Sequence, residues 1–465
     1  MSATMNKIAM RFVKTLLPVI VASTVPMFAY SAQNAAASRL GKDYIEEPMP
    51  AGFQIVLSDL EGPVFADANG KTFYRWPVAN LRNGPAGEQK GKPTCDDTHY
   101  RVNAGLMSPY PPGLELPDVD TRLTCAQLWP PVLASVDSKP IGKWTVVDRK
   151  DGSKQWAYDG QAVYTSLLDH KVGDVLGGTN RRQRGEEGAV RFPIGPAPNV
   201  PPQFNAHQTI TGRLLVTSDE HSVYVWDKDA PNKSNCNAAC VQEWSPVLAP
   251  NLADSKASWS ADWSVVERSP GVKQWAFKKQ PLYIHVLDQQ MPSLEGGDVP
   301  GWHNVYLQKA PLPPKEFTVS DTSAGGQVLA DSHGKTIYIY YCNDDAVDQQ
   351  ACDYPEASQA YRFAICGRGD PERCLQHFSY VIASKDAVSP NHLWTTMDID
   401  PKTGRRALAG QSGSLRVWAF RDRPVYNCYR DREPGDAECD WFGEHGVRNG
   451  FRAFWLRDVF GALAG

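Results

Sequence analysis

The chain has 465 residues and a formal net charge of −4, with 48 basic and 52 acidic side chains. The sequence contains no basic tract long enough to follow a phosphate backbone, which argues against nucleic acid as a partner. Its 14 Trp and 18 Tyr residues are typical of small β-modules, whose cores depend on bulky aromatic side chains.

The N-terminal segment has the pattern of a secretory signal peptide. Lys7, Arg11 and Lys14 precede a mostly apolar run over residues 15–28, and small residues follow. The run is shorter than the roughly 20 apolar residues of a membrane-spanning helix. We therefore expect residues 1–31 to be removed during export, and the mature protein to be periplasmic or secreted without stable membrane insertion. A transmembrane anchor is the alternative interpretation of this segment.

The 10 cysteines of an exported chain predict structural disulfides. Metal binding is the alternative use, but no His lies at zinc-site spacing from a Cys pair and no CxxCH haem motif is present, so neither a metal nor a cofactor is expected. We expect local pairs, each of which ties a turn to the loop before it. These pairs are Cys95–Cys125, Cys236–Cys240, Cys342–Cys352, Cys366–Cys374 and Cys428–Cys439.

Several sequence blocks recur in the same order along the chain, which indicates internal repeats. The decamer CAQLWPPVLA at 125–134 returns as CVQEWSPVLA at 240–249 and as CLQHFSYVIA at 374–383. Each copy predicts one short helical turn that leads into a strand. In a second block a Tyr follows a Trp at constant spacing, at Trp156 and Tyr164, Trp275 and Tyr283, and Trp418 and Tyr426.

The repeats divide the mature chain into three modules joined by proline-rich spacers. The modules run over residues 51–195, 204–311 and 316–465, and residues 80–120 form a surface insertion in the first. Runs rich in Val, Tyr and Trp predict about six short strands in each module, and Asp-Gly at 159–160 predicts a two-residue hairpin turn. The sequence therefore predicts an all-β fold of three tandem, disulfide-stapled modules.

An Asp that follows a Tyr by five residues recurs in each module. Three equivalent carboxylates are candidates for cation binding or for acid–base chemistry. The alternative is structural, with the Asp closing a turn by accepting hydrogen bonds from backbone amides. The positions are Asp169 after Tyr164, Asp288 after Tyr283, and Asp431 after Tyr426.

Aromatic residues two positions apart on predicted strands are the candidate binding residues. Such residues share one face of a strand. If that face points outward, the modules offer three aromatic platforms for a sugar, a peptide or a partner protein. If it points inward, the same residues belong to the core. The candidates, with one nearby acid, are Tyr74, Trp76, Tyr224, Trp226, Asp229, Tyr338 and Tyr340.

Part of this pattern resembles a known family. Tyr224, Trp226 and Asp229 follow the form Y-x-[FWY]-x-x-D, and CAQLWPPVLA places a Cys before Trp-Pro-Pro. These features are similar to the bacterial "secreted repeat of unknown function" family of lipoprotein-type repeats. The resemblance implies export and β-rich repeats, and it implies no established activity. The chain differs from lipoprotein members because no Cys for lipid attachment lies near the predicted cleavage site.

The sequence shows no evident catalytic centre. It contains no H-E-x-x-H, P-loop or G-x-G-x-x-G motif, and Ser412 in GQSGS does not fit the G-x-S-x-G pattern of hydrolases. We therefore interpret the protein as a binding or assembly module of the cell envelope, with a protein or a glycan as partner and three modules in a row that bind multivalently.

The alternative is a periplasmic enzyme or enzyme accessory subunit. Its site would lie in a cleft between modules or in the long loops of module three, since function concentrates in such loops. This hypothesis predicts a deep pocket with at least two titratable groups whose pKa values are perturbed.

Overall fold

The computed structural model describes residues 43–75, 93, 95–99, 101, 113–115, 123–177, 192–250, 253, 262–288, 292–323, 325–342, 353–443 and 449–457. The predicted signal peptide, most of the insertion at 80–120, Trp76 and Cys352 lie outside these residues. Within them, antiparallel strands predominate and helices are few, so the predicted all-β fold is confirmed.

The boundaries of the three modules stay predictions, and we refer to residues 51–195, 204–311 and 316–465 as the first, second and third segments. The first segment contains β1 (Gln54–Ser58), β2 (Gly62–Ala66), β3 (Tyr74–Arg75), α1 (Cys125–Leu128), β4 (Leu133–Ala134), β5 (Trp144–Asp148), β6 (Lys154–Tyr158), β7 (Gln161–Ala162) and β8 (Phe192–Pro193).

The second segment contains β9 (Phe204–Thr209), β10 (Gly212–Thr217), β11 (Tyr224–Trp226), α2 (Cys240–Glu243), β12 (Trp244–Pro246), β13 (Leu248–Ala249), β14 (Trp263–Ser269), β15 (Val272–Phe277), β16 (Gln280–Pro281), β17 (Tyr283–His285), a 3-10 turn (Glu295–Asp298), β18 (Trp302–Asn304) and β19 (Tyr306–Lys309). The third contains β20 (Thr318–Asp321), β21 (Gln327–Ala330), β22 (Tyr338–Tyr341), α3 (Ala360–Gly367), α4 (Pro371–His377), β23 (Phe378–Tyr380), β24 (Trp394–Ile399), β25 (Leu415–Phe420), β26 (Arg423–Cys428), β27 (Phe442–Gly443), β28 (Gly450–Ala453) and β29 (Trp455–Arg457).

The same antiparallel hairpin recurs in all three segments. It pairs β5 with β6, β14 with β15, and β24 with β25. Aromatic cross-strand pairs stabilise a sheet through direct side-chain packing, and one such pair lies at the open end of each hairpin. These pairs are Trp144 with Tyr158, Trp263 with Phe277, and Trp394 with Phe420.

A two-residue turn follows each hairpin, as Asp-Gly at 159–160 predicts for the first. Two consecutive residues with positive φ form a type I′ turn, which matches the right-handed twist of the strands. In the second and third segments this turn has no glycine. The φ angles are 49° and 76° at Asp159 and Gly160, 50° and 67° at Lys278 and Lys279, and 52° and 56° at Arg421 and Asp422.

The helical turn predicted at the start of each cysteine-containing decamer is present in two segments, and the third segment has more helix than predicted. Helices α1 and α2 are single turns of 4 residues, whereas the third segment has two helices of 8 and 7 residues. The strands are also shorter and more numerous than the predicted six in each module, because chain segments break where they leave one sheet for another.

Four disulfides of the described residues are those expected, Cys95–Cys125, Cys236–Cys240, Cys366–Cys374 and Cys428–Cys439.

Cys342 is also disulfide-bonded, and its predicted partner Cys352 lies outside the described residues.

The hydrophobic core continues from one segment into the next. A cluster of the third segment, which includes Trp394 and Phe454, also contains Leu60 of the first segment. Ile210 and Ala310 of the second segment pack against the same cluster. The three segments therefore share buried apolar surface. In the described part of the chain, no helix is long and apolar enough to cross a membrane.

Candidate functional site

Glu61 lies where the three segments meet. It belongs to the turn between β1 and β2, and its Oε1 is 2.6 Å from Arg421 Nη1 of the third segment. Gln208 Nε2 of the second segment donates to the same oxygen at 3.1 Å, and Ser58 donates to Oε2 at 2.6 Å. The side chains of Glu61 and Arg421 are only 6% and 2% exposed. The junction is therefore ionic, buried and hydrogen-bonded at its centre.

Two further contacts join the first and third segments beside this ion pair. Arg421 donates to the carbonyl of Val175, and the Tyr354 hydroxyl donates to the carbonyl of Leu176. Tyr354 packs with Leu168 and Leu176 in a small apolar cluster. The positive φ of Arg421 sets the direction in which its side chain leaves the turn.

A cleft of about 550 Å³ opens beside Glu61. One wall is the edge strand β9 of the second segment, the opposite wall is the extended stretch 193–198 of the first, and Tyr341 comes from the third. Clefts at domain interfaces are common locations for ligand binding. All three segments therefore contribute to a single concave surface.

Two arginines give the cleft its charge. Arg213 lies on β10, and burial lowers its pKa while the charge of Asp43 acts in the opposite direction. Arg75 lies 3.9 Å from Asp159, with both side chains substantially exposed. Exposed pairs at this distance contribute little. Because Glu61 is paired with Arg421 and Arg75 lies beside Asp159, Arg213 is the cation of the cleft lining that has no ion-pair partner among the described residues.

Tyr158 is one of two tyrosines that line the cleft. Burial raises its pKa to about 12, and the hydrogen bond of 2.9 Å to Glu47 acts in the same direction, whereas Lys143 acts against it. A hydroxyl with this pKa stays protonated at neutral pH. Because its one proton is donated to Glu47, Tyr158 is suited to accept a hydrogen bond from a ligand or to pack against it, not to remove a proton.

The recurring aspartates lie in the interior, each bound to a tyrosine of another strand. The sequence spacing pairs each Asp with the Tyr five residues before it, but the structure pairs it with a Tyr far upstream. The hydroxyl-to-carboxylate distances are 2.8 Å for Tyr74–Asp169, 2.8 Å for Tyr224–Asp288 and 3.2 Å for Tyr338–Asp431.

Two of these aspartates also close a loop, as the structural interpretation predicts. Asp169 accepts from the amide of Leu176 at 2.9 Å, and Asp431 accepts from the amide of Glu438 at 3.0 Å. Burial raises the pKa of Asp169 to about 7 and that of Asp431 to about 6, although these hydrogen bonds act to lower it. No cluster of His, Cys, Asp and Glu suited to a metal ion occurs among the described residues.

The structure does not bring the predicted binding residues together. Four of them, Tyr74, Tyr224, Tyr338 and Tyr340, are at most 2% exposed and lie in three separate core clusters. Their strand face points inward, which is the core alternative considered above. Asp229 accepts hydrogen bonds from Tyr283 and Asn235 at 2.7 Å each. Trp76 lies outside the described residues.

Trp226 is the exception, since it is half-buried at the end of an aromatic stack in the second segment. Ring centroids are 5.2 Å apart for Trp226–Trp302, 3.7 Å for Trp302–Trp244 and 4.2 Å for Trp244–His285, with nearly parallel planes. Burial acts to lower the pKa of His285, but the net shift is upward because Asp288 and Glu243 lie 3.1 and 3.5 Å away. The raised pKa favours the protonated ring, and an imidazolium stacked on the indole of Trp244 is a favourable cation–π arrangement.

Sequence reasoning missed the residues of the junction, Glu61, Tyr158, Arg213 and Arg421. They belong to different segments, so no local spacing connects them. The turn position of Arg421 gave no signal either, because the other two copies have Asp159 and Lys278 there and Lys278 is also a long cation.

The fold and the disulfides define an exported, β-rich repeat protein. Residues 207–248 match the family model described as a secreted repeat of unknown function. This span begins on β9 and extends through β10, β11 and α2 to the start of β13. The comparison with curated proteins found no significant match, and the comparison with solved structures found none either. The second segment therefore carries a copy of this secreted repeat.

Proposed function

We propose that this exported protein is a binding module of the cell envelope and that its ligand occupies the junction cleft. The observation that carries the proposal is that all three segments line one cleft of about 550 Å³. Copies of a repeat that serve only as spacers have no need to converge on a shared concave surface. The convergence also replaces the predicted row of three platforms, since each segment contacts the other two.

The chemistry of the cleft favours binding over catalysis. An acid–base catalyst works best with a pKa near the operating pH. The pKa of Tyr158 is raised away from neutral pH, and Arg213 remains a cation at any physiological pH. The carboxylate of Glu61 is already engaged by Arg421, Gln208 and Ser58. These groups are suited to hydrogen bonding and charge complementarity, which supports the binding hypothesis over the enzyme alternative.

Affinity capture from envelope extract tests the proposal. The chain without residues 1–31 serves as bait, beside a variant with Asn205→Trp, which fills the cleft from an exposed position on β9. Val136→Trp is the matched control, since Val136 is 82% exposed and lies outside the cleft. We expect the same envelope component to be enriched by the wild type and the control and to be lost with Asn205→Trp. Equal enrichment by all three baits would show that the cleft is not the binding site.

A further inference from the structure

Arg213 is held in the cleft by a close backbone approach. It lies opposite Gln208 in the β9–β10 pair, and its guanidinium rests against Gly62. A Cβ at position 62 would stand within 3.0 Å of three atoms of the Arg213 side chain. Gly62 also has a φ of 79°, which disfavours any other residue. Position 62 therefore leaves space for the guanidinium and fixes where it lies.

Arg213 has no ion-pair partner among the residues that the structure describes. Of the described carboxylates, none lies within the 4.0 Å ion-pair distance of its guanidinium. Arg421, by contrast, is 2.6 Å from the carboxylate of Glu61. Arg213 is half-buried and lines the cleft, and charges that are partly withdrawn from water are normally paired in proteins. An anionic group that enters the cleft would supply the missing partner.

The other charged groups that face the cleft do not cancel this one. Glu61 is neutralised by Arg421, and the charge of Arg75 is balanced by Asp159 at 3.9 Å. Asp43 acts on Arg213 from a distance and raises its pKa only in part. The whole chain has a net charge of −4, whereas Arg213 brings a positive charge to the cleft. An acidic ligand would be drawn to this place on an otherwise acidic protein.

The cleft also exposes the edge of a sheet. Strand β9 pairs only with β10 among the described strands, and its other edge faces the cleft. The wall opposite contains Pro193, Pro196 and Pro198, which have no backbone N–H and cannot extend a ladder. In that wall the carbonyl of Ala197 already accepts from the amide of Ile45 at 2.8 Å. Along this edge of β9 the amide of Ala206 already donates to Asn205 Oδ1 at 2.8 Å and the amide of Phe204 to the carbonyl of Pro201 at 2.9 Å. The stretch of β9 at Gln208 is therefore the part of the edge left for another extended chain.

We infer that the cleft binds an extended acidic peptide segment, which adds to the free edge of β9 and places a carboxylate against the guanidinium of Arg213. This inference rests on the proposed binding function and adds the chemical class of the ligand. Addition of a strand to a sheet edge is a common mode of peptide recognition, and arginine binds a carboxylate through two parallel hydrogen bonds. An acidic glycan offers a carboxylate for Arg213 but no backbone amides for the edge of β9. An acidic peptide can bind to both Arg213 and this edge, which is why we favour it.

Selection from a random-peptide library against the chain without residues 1–31 tests the inference. We expect the enriched peptides to be rich in Asp and Glu and to bind less tightly as salt is added. Arg213→Gln is expected to weaken the selected peptides about tenfold or more, because a charge-assisted hydrogen bond is lost. Arg213→Lys keeps the charge and is expected to retain part of the affinity. Arg416→Gln, which removes an arginine of β25 outside the cleft, is the matched control, and thermal melts confirm that each variant is folded.

The outcomes separate this inference from the proposed function. Enriched peptides without acidic residues, or acidic peptides that bind Arg213→Gln as tightly as the wild type, would overturn the inference. The cleft would still be a binding site if Asn205→Trp blocked those peptides. If the peptides bind Asn205→Trp as tightly as the wild type, both proposals are contradicted. If no peptide is enriched but oligogalacturonate binds in a manner that Asn205→Trp abolishes, the ligand is a glycan and only the inference is wrong.

Discussion

Buried aspartates are the residues whose chemistry is most altered by this fold. Asp169 is almost completely buried, yet its carboxylate receives hydrogen bonds from Tyr74 and Leu176. Desolvation outweighs these bonds and raises its pKa to about 7. The loop after β7 is thus held by a group whose charge changes between acidic and neutral pH. Any effect on stability must appear in that range.

We expect the free energy of unfolding to fall as the pH rises from about 4 to about 7. The pKa of Asp169 is higher in the folded chain than its ordinary value of 3.8, so the folded state binds more protons in this range. The stabilisation is fully present below the unfolded pKa and is lost as the pH rises through the folded pKa. Asp169→Asn, which cannot titrate, should flatten the profile by an amount on the order of 1–4 kcal/mol.

Urea unfolding at several pH values measures this effect. Asp137→Asn is the control, because Asp137 is exposed. Identical pH profiles for the two variants would show that Asp169 is not the responsible group.

His285 gives a second prediction at this scale. Its ring stacks on Trp244 and faces the carboxylates of Asp288 and Glu243. The protonated form is therefore favoured in the folded chain, and its stabilisation is lost as the pH rises above the ordinary value of 6.5 and through the raised pKa. In an NMR titration we expect the His285 ring to titrate above pH 6.5 and Glu243→Gln to lower the midpoint. A midpoint below 6.5, or one that ignores Glu243→Gln, would refute this description of the stack.

Among the structural elements, the type I′ turn shows how a repeat can keep its geometry without its favoured residues. Asp-Gly at 159–160 suits positive φ, whereas Lys278 and Lys279 adopt the same angles at a cost. The backbone amide of Lys278 and the carbonyl of Lys279 are bonded to Asp262 and Asn232. The surrounding fold therefore imposes this turn on a sequence that does not favour it.

Replacing Lys278-Lys279 by Asn-Gly should stabilise the protein by about 1 kcal/mol, because these residues adopt positive φ with less strain. Replacing Arg421-Asp422 by Asn-Gly relieves the same backbone strain, but it also removes the arginine that pairs with Glu61. We expect that second variant to be less stable than the wild type. Thermal unfolding of both variants measures the difference, and stabilisation by both replacements would show that the Arg421 side chain contributes nothing to the junction.

Local patterns were enough to predict some elements and could not predict others. Alternating residues such as those of β5 and β6 identify a hairpin because each strand carries its own pattern, and closely spaced cysteines such as Cys236 and Cys240 have few alternatives as partners. The division between β12 and β13 has no such signal. It arises because β12 pairs with β17 whereas β13 pairs with β15, and the change of partner depends on segments distant in sequence.

At the scale of the whole molecule, one buried ion pair joins segments that lie far apart in sequence. Glu61 and Arg421 are bonded to each other and to Gln208 and Val175 of neighbouring strands and loops. The sequence offered no means to predict this contact, because charge complementarity between distant residues has no period or spacing. For the same reason the cleft, which is the candidate site, was foreseen only as a general possibility of a cleft between modules.

We expect Arg421→Met to destabilise the protein by about 3–5 kcal/mol, since it leaves Glu61 buried without a counter-ion. The double variant Glu61→Gln with Arg421→Met removes both charges and should recover a large part of that loss. Urea unfolding of the wild type, both single variants and the double variant measures the coupling. Strictly additive effects would mean that the pair does not act as a unit and that the segments are held together by other contacts.

The most direct test of the account is photo-crosslinking from inside the cleft in cells that export the protein. A photoreactive phenylalanine analogue replaces Asn205 on the cleft wall, and in a second protein it replaces Val136 of the first segment, which is 82% exposed and does not line the cleft. We predict a discrete covalent adduct from position 205 that is absent from position 136 and weakened by Arg213→Gln. Adducts of equal yield at both positions, or none at position 205, would contradict a ligand site at the junction of the three segments.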